Sequence, residues 1–272
     1  MGYMDKTAKV REFDPLHIPK ISGTTCVLHI SSFLEGSGKN NPLREFNVLK
    51  KQIDMLSSQK ISDINGFRLD LVISINGHVN VKEYISYLKS IDKTVVGNNV
   101  NITIFQRPNF GYQWGGFYDV WNRYKMINCD WFVTLEADVY FNDNTWFDYC
   151  MNRIANKKEI GFLGMISRKF NTINPKEYGE VVPIPERVWR DKNNNTLKNP
   201  NESVTRHTRG GMYFCKRSLL QKLDNVYGCF THSMGCNHHL DGIILGEVGF
   251  SHKTTALGYV LNMNENITGL IE

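Results

Sequence analysis

The sequence predicts an α/β domain: a mostly parallel central sheet flanked by helices. Three observations carry that prediction. Apolar, β-branched runs of strand length alternate with segments whose apolar residues recur at helical spacing. The resulting order, β-α-β-α-β-α-β, puts helices on both faces of a sheet whose ligands sit at the carboxyl ends of the strands. The chain has 272 residues, 41% hydrophobic and 22% charged, enough to bury roughly 70 to 75% of its unfolded surface without disulfides or metal.

Residues 1–22 read as a polar N-terminal extension, and 23–272 as one domain. TTCVLHISSF (24–33) is a first strand, closed by the Gly-rich LEGSGKNNP. Over 42–58, Leu43, Phe46, Leu49, Ile53 and Leu56 fall on one helical stripe, and FRLDLVISINGH (67–78) returns to strand character. A helix over 80–90, a strand over 99–108, a helix over 115–127 and a strand over 130–141 complete the regular half. The remainder predicts a helix at 144–156, a strand at 159–167, a strand and helix over 210–223, and an ordered end over 240–263. Between them, 168–208 is polar and aperiodic. Stretches of that length act as lids or are disordered, and both are expected here, with Arg187, Arg190, Arg206 and Arg209 available to phosphate.

Composition excludes several classes. The net charge of +5 is spread in mixed-sign stretches, without the block of like charge that a nucleic-acid partner needs. No secretory signal opens the chain, and no apolar run approaches the roughly 20 residues of a membrane span, which leaves peripheral membrane contact at most. Six dispersed cysteines without an export signal predict reduced thiols and a cytoplasmic location.

LEADV (135–139) ends an apolar strand, so Glu136 and Asp138, two residues apart, point to one side as the chain leaves the sheet. Oxygen ligands so placed suit Mn²⁺ or Mg²⁺, which share their shell with substrate phosphates. The alternative is a solvent-facing acidic turn.

With these motifs the sequence resembles the GT-A glycosyltransferases, especially inverting, family-2-like enzymes of the rhamnan and cell-wall type. The matching segments are ISING (73–77), RPNFGYQWGGFYDVW (107–121), WFVTLEADV (131–139), GGMYFCKRSLL (210–220) and LDGIILGEVGFSHKTTALGY (240–259). Two departures stand out: Gln113 where the family pattern has Asp, and Glu136 for the first acid of Asp-X-Asp. The resemblance implies a GT-A (Rossmann-like) fold with a nucleotide-binding half over 23–141 and an acceptor-binding half over 142–272.

By position, it implies that Ser31, within His29 to Phe33, and Asn76 line the base and ribose pocket. Asp138 would ligate the metal, Glu136 would hold ribose or metal-bound water, and Arg107, Asn109 and Gly111 would precede a helix whose amino end faces the donor. Plain capping and loop solvation is the alternative for Arg107 and Asn109. The tandem Gly210-Gly211 would let the backbone approach sugar or acceptor, or simply turn into a strand. Tyr112 and Trp114 are the exposed rings expected to stack on an acceptor sugar, whereas Phe117 and Trp121, at helical spacing, read as core.

The resemblance also requires an acid to take the acceptor's proton, and Asp241 and Glu247 are the candidates. If a helix starts at Asp241, Glu247 lies about 120° around it, so the two cannot serve one site. Asp241 suits an N-cap, and Glu247 has the family's spacing to Gly-Tyr. Gly242, Gly246 and Gly249 share one face of that helix, and a break there would make Glu247 the helix start. CFTHSMGCNHH (229–239) could hold zinc through Cys229, His232, Cys236 and His239, or place His238 and His239 against the acceptor. His252 becomes a metal ligand only if the chain departs from a straight helix. The resulting expectation is metal-dependent sugar transfer, with inversion, from a UDP-, GDP- or dTDP-sugar to a glycan or glycoconjugate hydroxyl. Nucleotidyl transfer and non-catalytic glycan binding are the alternatives.

Overall fold

The computed structural model describes residues 12–14, 25–35, 41–58, 67–97, 99–137, 139–141, 144–164, 167–169, 206–208, 211–228, 246–263 and 268–270. The strands are β1 (Cys26–Ser32), β2 (Leu69–Asn76), β3 (Val95–Val96), β4 (Val100–Arg107), β5 (Trp131–Glu136), β6 (Val139–Phe141), β7 (Ile160–Gly164), β8 (Ser167–Lys169), β9 (Arg206–Thr208), β10 (Met212–Lys216), β11 (Val260–Met263) and β12 (Thr268–Leu270). The helices are α1 (Pro42–Ser57), α2 (Lys82–Ile91), α3 (Tyr112–Tyr124), α4 (Trp146–Ile154), α5 (Arg217–Tyr227) and α6 (Gly249–Ala256).

Eight strands form one sheet in the order β11-β7-β10-β5-β1-β2-β4-β3. β1 pairs in parallel with both β2 and β5, and β2 with β4. β10 runs against both β5 and β7, while β11 is parallel to β7. The mostly parallel α/β architecture read from the sequence is therefore the observed one. β1 and β2 are buried along their whole length, as strands covered on both faces must be, so they read as continuous apolar runs. One core cluster joins Leu28 and Ile30 to Phe46 and Leu49 of α1, Leu88 of α2 and Phe147 of α4. The other joins Val27 and Phe132 to Phe117 and Trp121 of α3, Leu223 of α5 and Phe250 of α6. The first cluster also takes in Ile160 and Phe214, so it runs through both halves of the chain.

Local differences from the sequence reading have physical reasons. α1 starts where predicted because the Asn41 side chain accepts from the amides of Leu43 and Arg44, with Pro42 in the first turn. Leu43, placed on the stripe, is 54% exposed, because periodicity does not say where along its length a helix first meets the sheet. The strand predicted over 130–141 divides: β5 belongs to the main sheet, and β6 pairs instead with β12. That over 159–167 divides likewise into β7 and β8, the latter paired with β9. α3 begins at Tyr112, three residues before the predicted start. Within the supposed polar extension, Phe13 is buried in the core and the Glu12 amide donates to the Gln106 side chain. Among the described residues, no helix is long and apolar enough to cross a membrane.

Candidate functional site

The chain moves outward from β1 to β2 and β4 with α1 and α2 on one face, then α3 returns it on the opposite face to β5, on the other side of β1. Such a reversal opens a crevice at the carboxyl ends of the two central strands. Ser31 stands at the end of β1, while Asn76, Arg107 and Glu136 close β2, β4 and β5.

Three of these predicted residues form one relay with a fourth that sequence reasoning did not single out. The Asn76 amide donates to Ser31 Oγ at 2.7 Å, Arg107 Nη1 donates to Asn76 Oδ1 at 3.1 Å, and Arg107 Nε donates to the Asp119 carboxylate at 2.8 Å. The Arg107 side chain is only 10% exposed, so its guanidinium is a fixed cation at the crevice. Asp119 lies two turns into α3, on no recognisable motif.

The loop entering α3 carries Asn109, half-buried, and Phe110, 46% exposed. Gly111 (φ 69°) and Tyr112 (φ 51°) are both left-handed, a conformation natural for the glycine and strained for the tyrosine. Trp114, expected to be exposed, is 2% exposed. Its ring packs against Tyr213 and Phe250 at centroid distances of 4.6 and 5.2 Å, which removes it as an open stacking platform. The cause is the early start of α3, which turns Trp114 to the sheet side. Tyr112 is half-buried, and Gln113 is buried with its amide donating to Thr134 Oγ1 at 3.4 Å.

Beneath the relay, His29 is fully buried between Thr134 Oγ1 (2.9 Å from Nδ1) and Ser74 Oγ (2.8 Å from Nε2) and stacks on Phe117. Burial, reinforced by the Arg107 charge, lowers its pKa to about 3, so the ring is neutral and holds three strands together instead of serving as a base.

Glu136 is half-buried where β5 leaves the sheet. Its amide donates to the Gly211 carbonyl at 2.8 Å and that of Ala137 to the Ser31 carbonyl at 2.9 Å. Gly211 thus meets the crevice through its backbone. At the other rim the Glu35 carboxylate lies against Gly77 and accepts from the His78 amide at 3.5 Å. Gly77 ends the ISING segment that carries part of the resemblance, whereas Glu35 carried no distinguishing signal in the sequence beyond flanking a strand end.

A π-helical turn at 246–248 leads into α6. Gly246 seats its backbone on the Trp114 indole, where a Cβ would overlap Cδ1 and stand 2.6 Å from Cγ. Glu247, half-buried, follows directly, so the chain brings it to the amino end of α3. Gly246→Ala normally gains about 1 kcal/mol of helix propensity. Here the boxed-in indole cannot yield, and overpacking should cost about 1 to 3 kcal/mol instead. The expected result is a lower Tm in thermal unfolding.

Asp138, Gly210, His238, His239 and Asp241 lie outside the described residues, as do Cys229, His232, Cys236 and the stretch expected to act as a lid, apart from its ends. His252 lies in α6, five residues beyond Glu247. Among the described residues, no three His, Cys, Asp or Glu side chains converge as metal ligands; a set of Glu136, Asp138 and His252 includes Asp138, outside those residues. Cys26, Cys129, Cys150 and Cys215 are buried free thiols, with burial pushing the Cys26 and Cys215 pKa well up and that of Cys129 to about 12. They are inert packing groups.

No protein-family model matches the sequence, and no curated protein matches it. Among solved structures, the chain is similar to a cytidylyltransferase from Leptospira borgpetersenii serovar Hardjo-bovis, with a TM-score of 0.44 and 12% identity over 90% of this chain and 77% of that one. It is also similar to a CMP:2-keto-3-deoxy-manno-octonic acid synthetase complexed with CTP, with a TM-score of 0.45 and 10% identity over 88% of this chain and 89% of that one.

Proposed function

We propose that the chain is a nucleotide-dependent transferase that moves a sugar from a nucleoside-diphosphate donor to a hydroxyl of a glycan or glycoconjugate, with inversion, in the cytoplasm. The observation that carries this reading is the relay of Ser31, Asn76 and Arg107 across the carboxyl ends of adjacent parallel strands, beside the Glu136 carboxylate where β5 breaks off. Ser31 and Asn76 offer polar atoms to base and ribose. Arg107, kept in place by Asp119, meets diphosphate charge, and α3 directs its amino end to the same edge.

Glu136 fits a hard cation, being a half-buried oxygen ligand where β5 ends at the rim of the crevice. Mn²⁺ or Mg²⁺ held by Glu136 and Asp138 would neutralise charge on the departing nucleoside diphosphate. Glu247 or Asp241 takes the acceptor proton.

Nucleotidyl transfer is the second reading. The fixed Arg107 guanidinium favours it, since a nucleoside triphosphate brings more negative charge than one metal ion offsets. Product analysis decides between them. With Mn²⁺ and UDP-, GDP- or dTDP-sugars, sugar transfer releases nucleoside diphosphate; with CTP and a sugar acid, nucleotidyl transfer releases pyrophosphate. Release of neither product, with binding retained, would make the protein a glycan- or nucleotide-binding module. Asp138→Ala and Glu136→Ala should each remove metal-dependent donor binding in calorimetric titration while leaving the folded state intact. Unchanged affinity in both would end the metal assignment.

A further inference from the structure

We propose that Gln52, on α1, is a positioning residue for the turn that carries Glu136, and that it sets the metal affinity of the crevice without touching donor or acceptor. The inference rests on the reading of Glu136 as a metal-facing and donor-facing carboxylate. Gln52 is 2% exposed and lies on the apolar stripe of α1, three residues after Leu49 and one before Ile53. Its amide nitrogen donates to the Glu136 carbonyl at 3.1 Å and to the Val139 carbonyl. A side-chain amide has two N–H groups, and both are used here.

The two carbonyls stand on either side of the break. Glu136 is the last residue of β5 paired with β1, and Val139 is paired with β12 in the smaller sheet. A strand that leaves its ladder exposes main-chain groups that must find partners elsewhere. The amides of Glu136 and Ala137 find the carbonyls of Gly211 and Ser31, and Gln52 supplies the donors for the carbonyls. The turn is thus fixed from the Gly211 segment, from β1 and from α1. Among these contacts, the contribution of α1 comes from a side chain, so it can be removed by substitution with every main-chain partner in place. Groups that orient metal ligands from behind typically change metal affinity 10- to 100-fold when lost.

Gln52→Met preserves volume and helix propensity and deletes both donors. The test is a Mn²⁺ titration of wild type and Q52M, followed by electron paramagnetic resonance, with UDP, GDP, CDP and dTDP in turn. The midpoint for Mn²⁺ is expected to rise about 10- to 100-fold, with metal-free nucleotide affinity unchanged. A purely structural role would lower Tm and leave that midpoint where it was. Equal midpoints overturn the proposal and leave the functional reading standing; a wild type that shows no Mn²⁺-dependent nucleotide binding overturns both. If Q52M does not fold, Gln52→Leu, which also deletes both donors, decides instead: an unchanged midpoint there counts against the proposal in the same way.

Discussion

Glu247→Gln is expected to slow sugar transfer about 10²- to 10⁴-fold, the usual loss on removing a general base, while donor affinity hardly changes. The described part of the helix begins at Gly246 in a π-helical turn, and Gly246 is pressed on Trp114 at the amino end of α3. Glu247, next in the chain, therefore stands near the amino end of α3, where the proposed reaction needs its base. The split between rate and donor affinity is what distinguishes a base from a packing residue: loss of donor binding together with rate would mark Glu247 as structural. Asp241→Asn is the paired experiment. Full activity in E247Q with a dead D241N would move the base to Asp241. Full activity in both would remove the proton acceptor from this segment and, with it, the main support for inversion.

The second large effect is a loss of stability in mild acid, traced to His29. Its pKa is about 3 in the folded protein against an ordinary value of 6.5. Below pH 6.5 the unfolded chain takes up a proton on this ring that the folded chain refuses. The stabilisation is therefore complete above pH 6.5 and is lost as pH falls from there towards 3. At about 1.4 kcal/mol per pH unit, the loss between pH 7 and pH 4.5 is on the order of 3 kcal/mol. Urea unfolding at those two pH values measures it. His29→Gln can still bond with Ser74 and Thr134, so it should be less stable than wild type at pH 7 yet lose markedly less on acidification. If both proteins lose the same amount, carboxylates elsewhere govern acid unfolding and His29 does not.

The regular first half of the fold is legible because each element has one unbroken period: the strands ending at Ser32, Asn76 and Arg107 and helices α1 and α2 fall within two residues or so of their predicted limits. The start of α3 is not legible. It has no Ser, Thr or Asp at its cap, and Gly111 and Tyr112 reach it through left-handed backbone. That shift also misplaced Trp114, which falls inside the first turn of α3 and not in the loop before it. The place of β10 between β5 and β7 arises from pairing between distant segments, on which local pattern is silent. In the site, Ser31, Asn76 and Arg107 are legible through the family resemblance, which falls on the ends of well-marked strands. Asp119 and Gln52 did not, yet Gln52 left a trace: a polar residue at spacing i+3 from Leu49 on an otherwise apolar face has a partner to satisfy.

β8 and β9 pair from Ser167 with Thr208 to Lys169 with Arg206, and the strands next to them, β7 and β10, are themselves neighbours. Residues 170–205 thus leave from and return to one antiparallel pair, and that pair follows β7, whose carboxyl end is at the same edge of the sheet as Glu136. A pair such as Lys169 and Arg206 can be bridged by a two-residue turn. The chain therefore has a natural splice point, at which a segment can be shortened, lengthened or exchanged between proteins while every strand of the main sheet keeps its neighbours. Variation in this architecture can gather there without disturbing the core.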